Sequence, residues 1–139
     1  MTAYDPDNIF AKILRGEIPC HKVYEDRDTL AFMDIMPQAD GHMLVLPKAA
    51  SRNLLDADPA ALGPLMATAQ KMARAAQKAF SADGILLKQY NGEAAGQTVF
   101  HLHLHVIPRH AGVDLRPHGG KMAEHALLAK HAEMIKAAL

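Results

Sequence analysis

Apolar residues alternate with histidine through Phe100, His101, Leu102, His103, Leu104, His105 and Val106, a period of two that predicts an extended chain with two unlike faces. Elsewhere the spacing is helical: Ile9, Phe10, Ile13 and Leu14 place a short helix over Asn8 to Arg15, closed by Gly16. Lys22 to Glu25 and Thr29 to Asp34 carry β-branched and aromatic residues around Asp26, Arg27 and Asp28, which predicts a hairpin. A turn over Pro37 to Gly41 leads to a third strand, His42 to Leu46, stopped by Pro47. Asp58 before Pro59 marks a helix start. Leu62, Leu65, Met66, Ala69, Met72, Ala73, Ala76 and Phe80 then carry the helix to about Phe80. Gly84 precedes a strand over Ile85 to Tyr90, Asn91 to Gly96 is a loop, and the last strand runs from Thr98 to Ile107, ended by Pro108. After a loop from Ala111 to Gly120, Leu127, Leu128, His131, Ile135 and Leu139 predict a helix over Met122 to Leu139. Grouped strands with separate helices make this an antiparallel α+β domain, with about five strands, a long helix and a C-terminal helix.

Composition narrows the picture. A chain of 139 residues, 50% hydrophobic and 22% charged, suits one domain over residues 1–139. Fifteen basic side chains balance fifteen acidic ones, so nucleic acid is not an expected partner. No apolar run approaches the roughly 18–20 residues of a membrane span, and no signal-peptide pattern opens the chain. With the single cysteine, Cys20, a disulfide-free cytoplasmic protein is expected. Cys20 has no acid or base at motif spacing and reads as a small, buried or half-buried residue. His21, His110, His118, His125 and His131 fall in predicted loops or on helix surfaces, and most are expected to be solvated.

The histidine strand admits two chemistries. Imidazole binds zinc, but at about 3.3–3.4 Å per residue the outer α-carbons of the triplet lie roughly 13 Å apart, so no more than two rings could share an ion. Neutral imidazole is also a nucleophile toward phosphorus. The middle ring, His103, is then favoured, with a neighbour on each side to orient it or protonate a leaving group. Gly96, Gln97 and Thr98 offer an open backbone, an amide and a hydroxyl just before the triplet, and with Asn91 across the loop they form a candidate phosphate cradle.

HLHLHVI, from His101 to Ile107, resembles the signature of the histidine triad superfamily of nucleotide hydrolases and transferases. NIFAKILRGEIP, LAFMDIMPQADGHMLVLPK and NGEAAGQTVFHLHLHVIPR resemble segments of its Hint branch, especially bacterial members. The resemblance implies that His103 attacks the α-phosphorus of an AMP or GMP derivative, giving a covalent nucleotidyl-histidine that water cleaves. It gives His105 the leaving group, and gives His101 and the more distant His42 the task of orienting the triad and buffering its charge. It places Asn91, Gln97 and Thr98 at the phosphate or leaving group and Asp34 at the ribose hydroxyls, where a carboxylate accepts. Ile9, Phe10, Phe32, Ile35 and Leu44 match the base pocket, although ordinary core explains them equally well. The resemblance also implies a homodimer paired through sheet edges and no required cofactor.

Two positions depart from the pattern. Some bacterial relatives flank the Ile and Phe of the first helix with a zinc-binding cysteine pair; here Asn8 and Ala11 stand there, so a structural zinc is not expected. Thr98 replaces the serine of phosphoramidase members, and GQT also resembles dinucleoside polyphosphate hydrolases, so that activity stays open beside a phosphoramidase. A nucleotide-binding adaptor with incidental catalysis and a zinc-binding module are the non-enzymatic alternatives.

Overall fold

Thr29–Met33 (β2) and Met43–Pro47 (β3) are buried at every position, which a strand achieves only where both sheet faces are covered. The computed structural model describes residues 2–117 and 119–139. Lys22–Glu25 (β1), Gly84–Lys88 (β4) and Leu104–Arg109 (β5) complete an antiparallel sheet in the order β1-β2-β3-β5-β4, the α+β architecture the pattern predicts.

The alternation of side chains sorts two cores. Ala31, Met33, Met43, Val45, Leu104 and Val106 face two helices, Leu62–Phe80 (α2) and His125–Ala137 (α3), and pack on Leu65, Ala69, Met72, Leu128, Ala132 and Ile135. Leu30, Phe32, Leu44 and Leu46 face the other way and meet Phe10 of the short helix Ile9–Leu14 (α1). That helix starts where the Asn8 side chain accepts from the Ala11 N–H, and it ends before Gly16. This short helix covers part of the second face and leaves a cleft beside it, at whose floor Phe32 and Leu44 are still buried. A row of paired residues, Phe32, Leu44 and His105, runs across the sheet on this side, and the functional site forms there.

Several boundaries differ from the sequence pattern. The last strand begins at Leu104, not Thr98, because residues 98–103 leave the ladder: Leu102 N donates to Ser51 O at 2.9 Å. It also continues through Pro108. The Arg109 carbonyl accepts from Asp83 N on the β4 side, so neighbouring Pro108 turns its donorless nitrogen toward the β3 side. There β3 has already ended, with Met43 opposite Val106. The long helix is preceded by a 3-10 turn, Pro59–Ala61, capped by Asp58. Its buried stripe is Leu65, Thr68, Ala69, Met72, Ala75 and Ala76, and Met66 is exposed. The fourth strand ends at Lys88, two residues short of Tyr90, and α3 starts at His125, later than Met122.

Of the outlying histidines, His131 is buried, its ring edge-on to Phe80 at 5.1 Å, and burial lowers its pKa against the opposing pull of Asp40. It belongs to the core and is not solvated as expected. His110 is half-buried and donates to Phe80 O at 3.0 Å. His21 and His125 touch through ring nitrogens 3.0 Å apart. His118 lies outside the described residues. Cys20 is half-buried, as expected, and burial raises its thiol pKa.

The β1–β2 turn is held by one carboxylate. Burial works upward on Asp26, but hydrogen bonds from Asp28 N, Thr29 Oγ1, Thr29 N and Tyr24 OH overcome it and hold the pKa at about 2. A depressed carboxylate contributes stability above its unfolded pKa and loses it as pH falls through the folded one. Asp26→Ala is therefore expected to cost about 1–3 kcal/mol at neutral pH. Its deficit against wild type should shrink between pH 4 and pH 2, as read by urea unfolding at each pH.

Candidate active site

A cleft of about 580 Å³ opens on the sheet face that α1 leaves uncovered. Ile9, Phe10, Phe32, Ile35 and Leu44 line it together with Asp34, Thr98, His103 and His105. Phe10, Phe32 and Leu44 are buried at its floor, whereas Ile9 is 43% and Ile35 38% exposed at its rim. Rim positions such as these are apolar side chains held in water, which ordinary core residues are not.

The two lining histidines owe their arrangement to main-chain groups. His103 Nδ1 lies 2.6 Å from the His101 carbonyl, which can only accept, so Nδ1 carries the proton and the lone pair of the neutral ring sits on Nε2. A second chain starts at Gln38, whose N–H donates to His42 Nδ1 at 3.0 Å. His42 must then carry its proton on Nε2, which lies 2.9 Å from His105 Nδ1. His105 accepts there and holds its own proton on Nε2. Asp34 Oδ2, 3.4 Å from His42 Nε2, adds a negative charge beside the relay. The His103 and His105 rings are 5.1 Å apart between centroids. A lone pair and a donated proton thus stand side by side, the pair that nucleophilic attack and leaving-group protonation require. The ring faces are fixed by Phe10, edge-on to His103 at 4.8 Å, and Tyr90, edge-on to His105 at 5.5 Å.

The remaining predicted residues lie behind the lining. His101 is 1% exposed; Tyr4 OH meets its Nδ1 at 2.6 Å and Pro47 O its Nε2 at 2.8 Å. Burial lowers its pKa, so it stays neutral. His101 does not join the other two rings at the cleft, because Tyr4 OH and Pro47 O hold it behind the lining. His42 is fully buried behind His105.

Gln97 is also buried: Oε1 accepts from Gly92 N and Asn53 Nδ2, while Nε2 donates to Arg52 O and Val99 O. Its amide braces the loop from within. Asn91 Oδ1 accepts from Leu54 N and Gln89 Nε2, tying that loop to the turn at Leu54. Gly96 ends the 3-10 turn Glu93–Ala95 at φ +107°, a conformation that favours glycine. Thr98 is the member of this group that reaches the cleft. Of the expected apolar face of the histidine segment, Leu102, Leu104 and Val106 are buried, but Phe100 is half-buried under the Arg52 guanidinium, 4.4 Å away.

The pattern missed Ile13, Ile18, Pro19, Cys20, Met33, Met36, Val99 and Gly119 in the lining, and Tyr4 behind it. Of these only Ile13 stood in a pattern, the apolar face of the first helix.

The first-helix zinc site does not fit these residues. Asn8 uses its side-chain oxygen to cap α1 and its amide to donate to Asp5 O, and Ala11 offers no donor atom. Asp34, His42 and His105 bring three donor atoms within 4.8 Å of one another, a closeness that the relay hydrogen bond and the adjacent carboxylate already explain.

Residues 15–112 match the model of the HIT domain family. An uncharacterised HIT-like protein of Mycobacterium tuberculosis is 44% identical over 114 residues, 82% of this chain and 79% of that protein. The adenylylsulfatase HINT3 of Arabidopsis thaliana is 37% identical over 126 residues, 86% of this chain and 64% of that protein. Among solved structures, a HIT-like protein of Bartonella henselae, described as involved in cell-cycle regulation, superposes with a TM-score of 0.93 at 54% identity, covering 99% of this chain and 100% of that one. With the alternating histidines, the five-stranded sheet and these matches in agreement, the chain belongs to the HIT family of nucleotide-binding hydrolases.

Proposed function

We propose that the protein hydrolyses nucleoside 5′-phosphoramidates or closely related derivatives of AMP or GMP, through a nucleotide covalently held on His103. The observation that carries this reading is the pairing of opposite proton states: a lone pair on His103 Nε2 and a proton on His105 Nε2, each set by a separate hydrogen bond. The purine lies between Phe32, Leu44 and the rim residues Ile9 and Ile35, and Asp34 accepts from the ribose hydroxyls. His103 Nε2 attacks the α-phosphorus and forms a P–N bond. The bond from phosphorus to the leaving nitrogen breaks, and that nitrogen takes the proton of His105 Nε2 and departs as ammonia. His105, now a base, draws a proton from water, whose oxygen attacks phosphorus. The P–N bond to His103 breaks and the nucleoside monophosphate leaves. The His42 Nε2–H, donated to His105 Nδ1, holds that ring in place while its Nε2 gives up a proton and regains one from water.

None of these steps needs a metal. The donors facing the developing phosphorus charge include Thr98 and the neighbouring main chain, with Gln97 and Asn91 acting by shaping the loop they brace. The purified protein is expected to release AMP from adenosine 5′-phosphoramidate with EDTA present throughout. Folded protein that released none would sink the phosphoramidase reading. The resemblance to adenylylsulfatase HINT3 favours a second leaving group: the same attack on an adenylyl sulfate expels sulfate, and comparing kcat/KM for the two substrates ranks them. The expected homodimer is supported by β4, an edge strand beside a groove in which Leu54, Met66 and Leu87 are exposed. Among the described residues no helix is long and apolar enough to cross a membrane.

A further inference from the structure

Tyr4 stands 97 residues from the histidine segment in sequence, yet its hydroxyl lies 2.6 Å from His101 Nδ1. Its ring meets the imidazole edge-on, with centroids 5.7 Å apart. The Pro47 carbonyl at Nε2 can only accept, so His101 carries its proton on Nε2 and its Nδ1 lone pair takes the Tyr4 hydroxyl proton. With both nitrogens engaged, the buried ring can neither flip nor change tautomer without leaving a polar atom unsatisfied.

The same residue's carbonyl accepts from His103 Nδ1 at 2.6 Å. His101 precedes β5 and has no ladder partner, so its side chain supplies an anchor that strand pairing does not. The N-terminal segment is itself held: the Arg52 guanidinium donates to Ala3 O at 3.4 Å, and the Arg52 carbonyl accepts from Gln97 Nε2.

We propose that Tyr4 is a positioning residue for the reactive histidine. Its hydroxyl locks the His101 ring, the locked ring fixes the His101 carbonyl, and that carbonyl keeps the His103 proton on Nδ1 and the lone pair on Nε2. Tyr4 does not line the cleft and touches no substrate. The proposal rests on the reading of His103 as nucleophile, but its structural half can be tested without any substrate.

Tyr4→Phe keeps the ring and deletes the hydroxyl, and Tyr4→Ala deletes both. For release of AMP from adenosine 5′-phosphoramidate, Tyr4→Phe is expected to lower kcat about tenfold with KM within about twofold of wild type, and Tyr4→Ala to lower kcat at least as far. In parallel, long-range ¹H–¹⁵N spectra of the imidazoles should show His103 losing its uniform Nδ1–H form in Tyr4→Phe. A Tyr4→Phe variant with wild-type kcat and an unchanged His103 tautomer overturns the proposal and leaves Tyr4 a packing residue. If wild-type protein does not turn over the phosphoramidate, the function reading fails and the spectra alone decide: a changed His103 tautomer supports the positioning role, and an unchanged one refutes it.

Discussion

His103→Ala is expected to reduce AMP release from adenosine 5′-phosphoramidate by on the order of 10⁴-fold or more, while AMP itself still binds. The substitution removes the nitrogen that bonds to phosphorus, and among the described lining residues no other imidazole stands beside His105. Residual turnover must then come from water attacking directly, helped only by the positioned donors. Binding survives because the apolar walls, Phe32, Leu44, Ile9 and Ile35, are intact. The substitution also removes the ring contact with Phe10, 4.8 Å between centroids, so circular dichroism and AMP titration calorimetry establish that the variant is folded and competent. Mass spectrometry of quenched wild-type reactions should in turn show a nucleotidyl adduct that the variant lacks. Turnover within tenfold of wild type in a folded variant would falsify covalent catalysis at this ring.

The second large effect is structural and falls one residue from the relay. Gly41 has φ +85°, and a Cβ built on it would sit 2.5 Å from Phe80 Cε2. Phe80 cannot simply swing aside, because it packs against the larger core and meets His131 edge-on at 5.1 Å. Gly41→Ala therefore combines left-handed backbone strain with overpacking, together about 2–4 kcal/mol. For a chain of this size that corresponds to a fall in Tm on the order of 10 °C, measurable by calorimetry. Because His42 is the next residue, kcat should fall as well, whereas a Gly63→Ala control on the α2 surface, where an added Cβ meets nothing within 4 Å, should leave both unchanged.

What could be read from the sequence followed from local rules. The apolar runs of β2 and β3 were legible as strands, but with both faces apolar no alternation told which side carries the cleft. Asp58 before Pro59 announced a helical start, although a 3-10 turn separates it from α2. His103 and His105 were legible as a pair from their spacing of two.

The period-two rule failed at His101. Extended spacing predicts three rings together, but Tyr4 and Pro47 hold His101 behind the cleft, and long-range bonds of this kind leave no local trace. Gln97 and Asn91 were legible as important and not as buried braces, because an amide next to a glycine loop suits either task. Tyr4 could not be found at all, since a lone aromatic in a polar N-terminal segment carries no periodicity. His131 was misplaced for a related reason: a histidine on a helix reads as polar until the Phe80 ring across from it is known.

The proton positions on both reactive rings are set by peptide groups, the N–H of Gln38 and the C=O of His101. A peptide N–H cannot accept and a peptide C=O cannot donate, so each chain of hydrogen bonds has a fixed polarity. Any residue except proline at position 38 would present the same donor. The direction in which the site can move a proton is thus inherited from the path of the backbone, and side-chain drift at position 38 can alter the setting of the relay without reversing it.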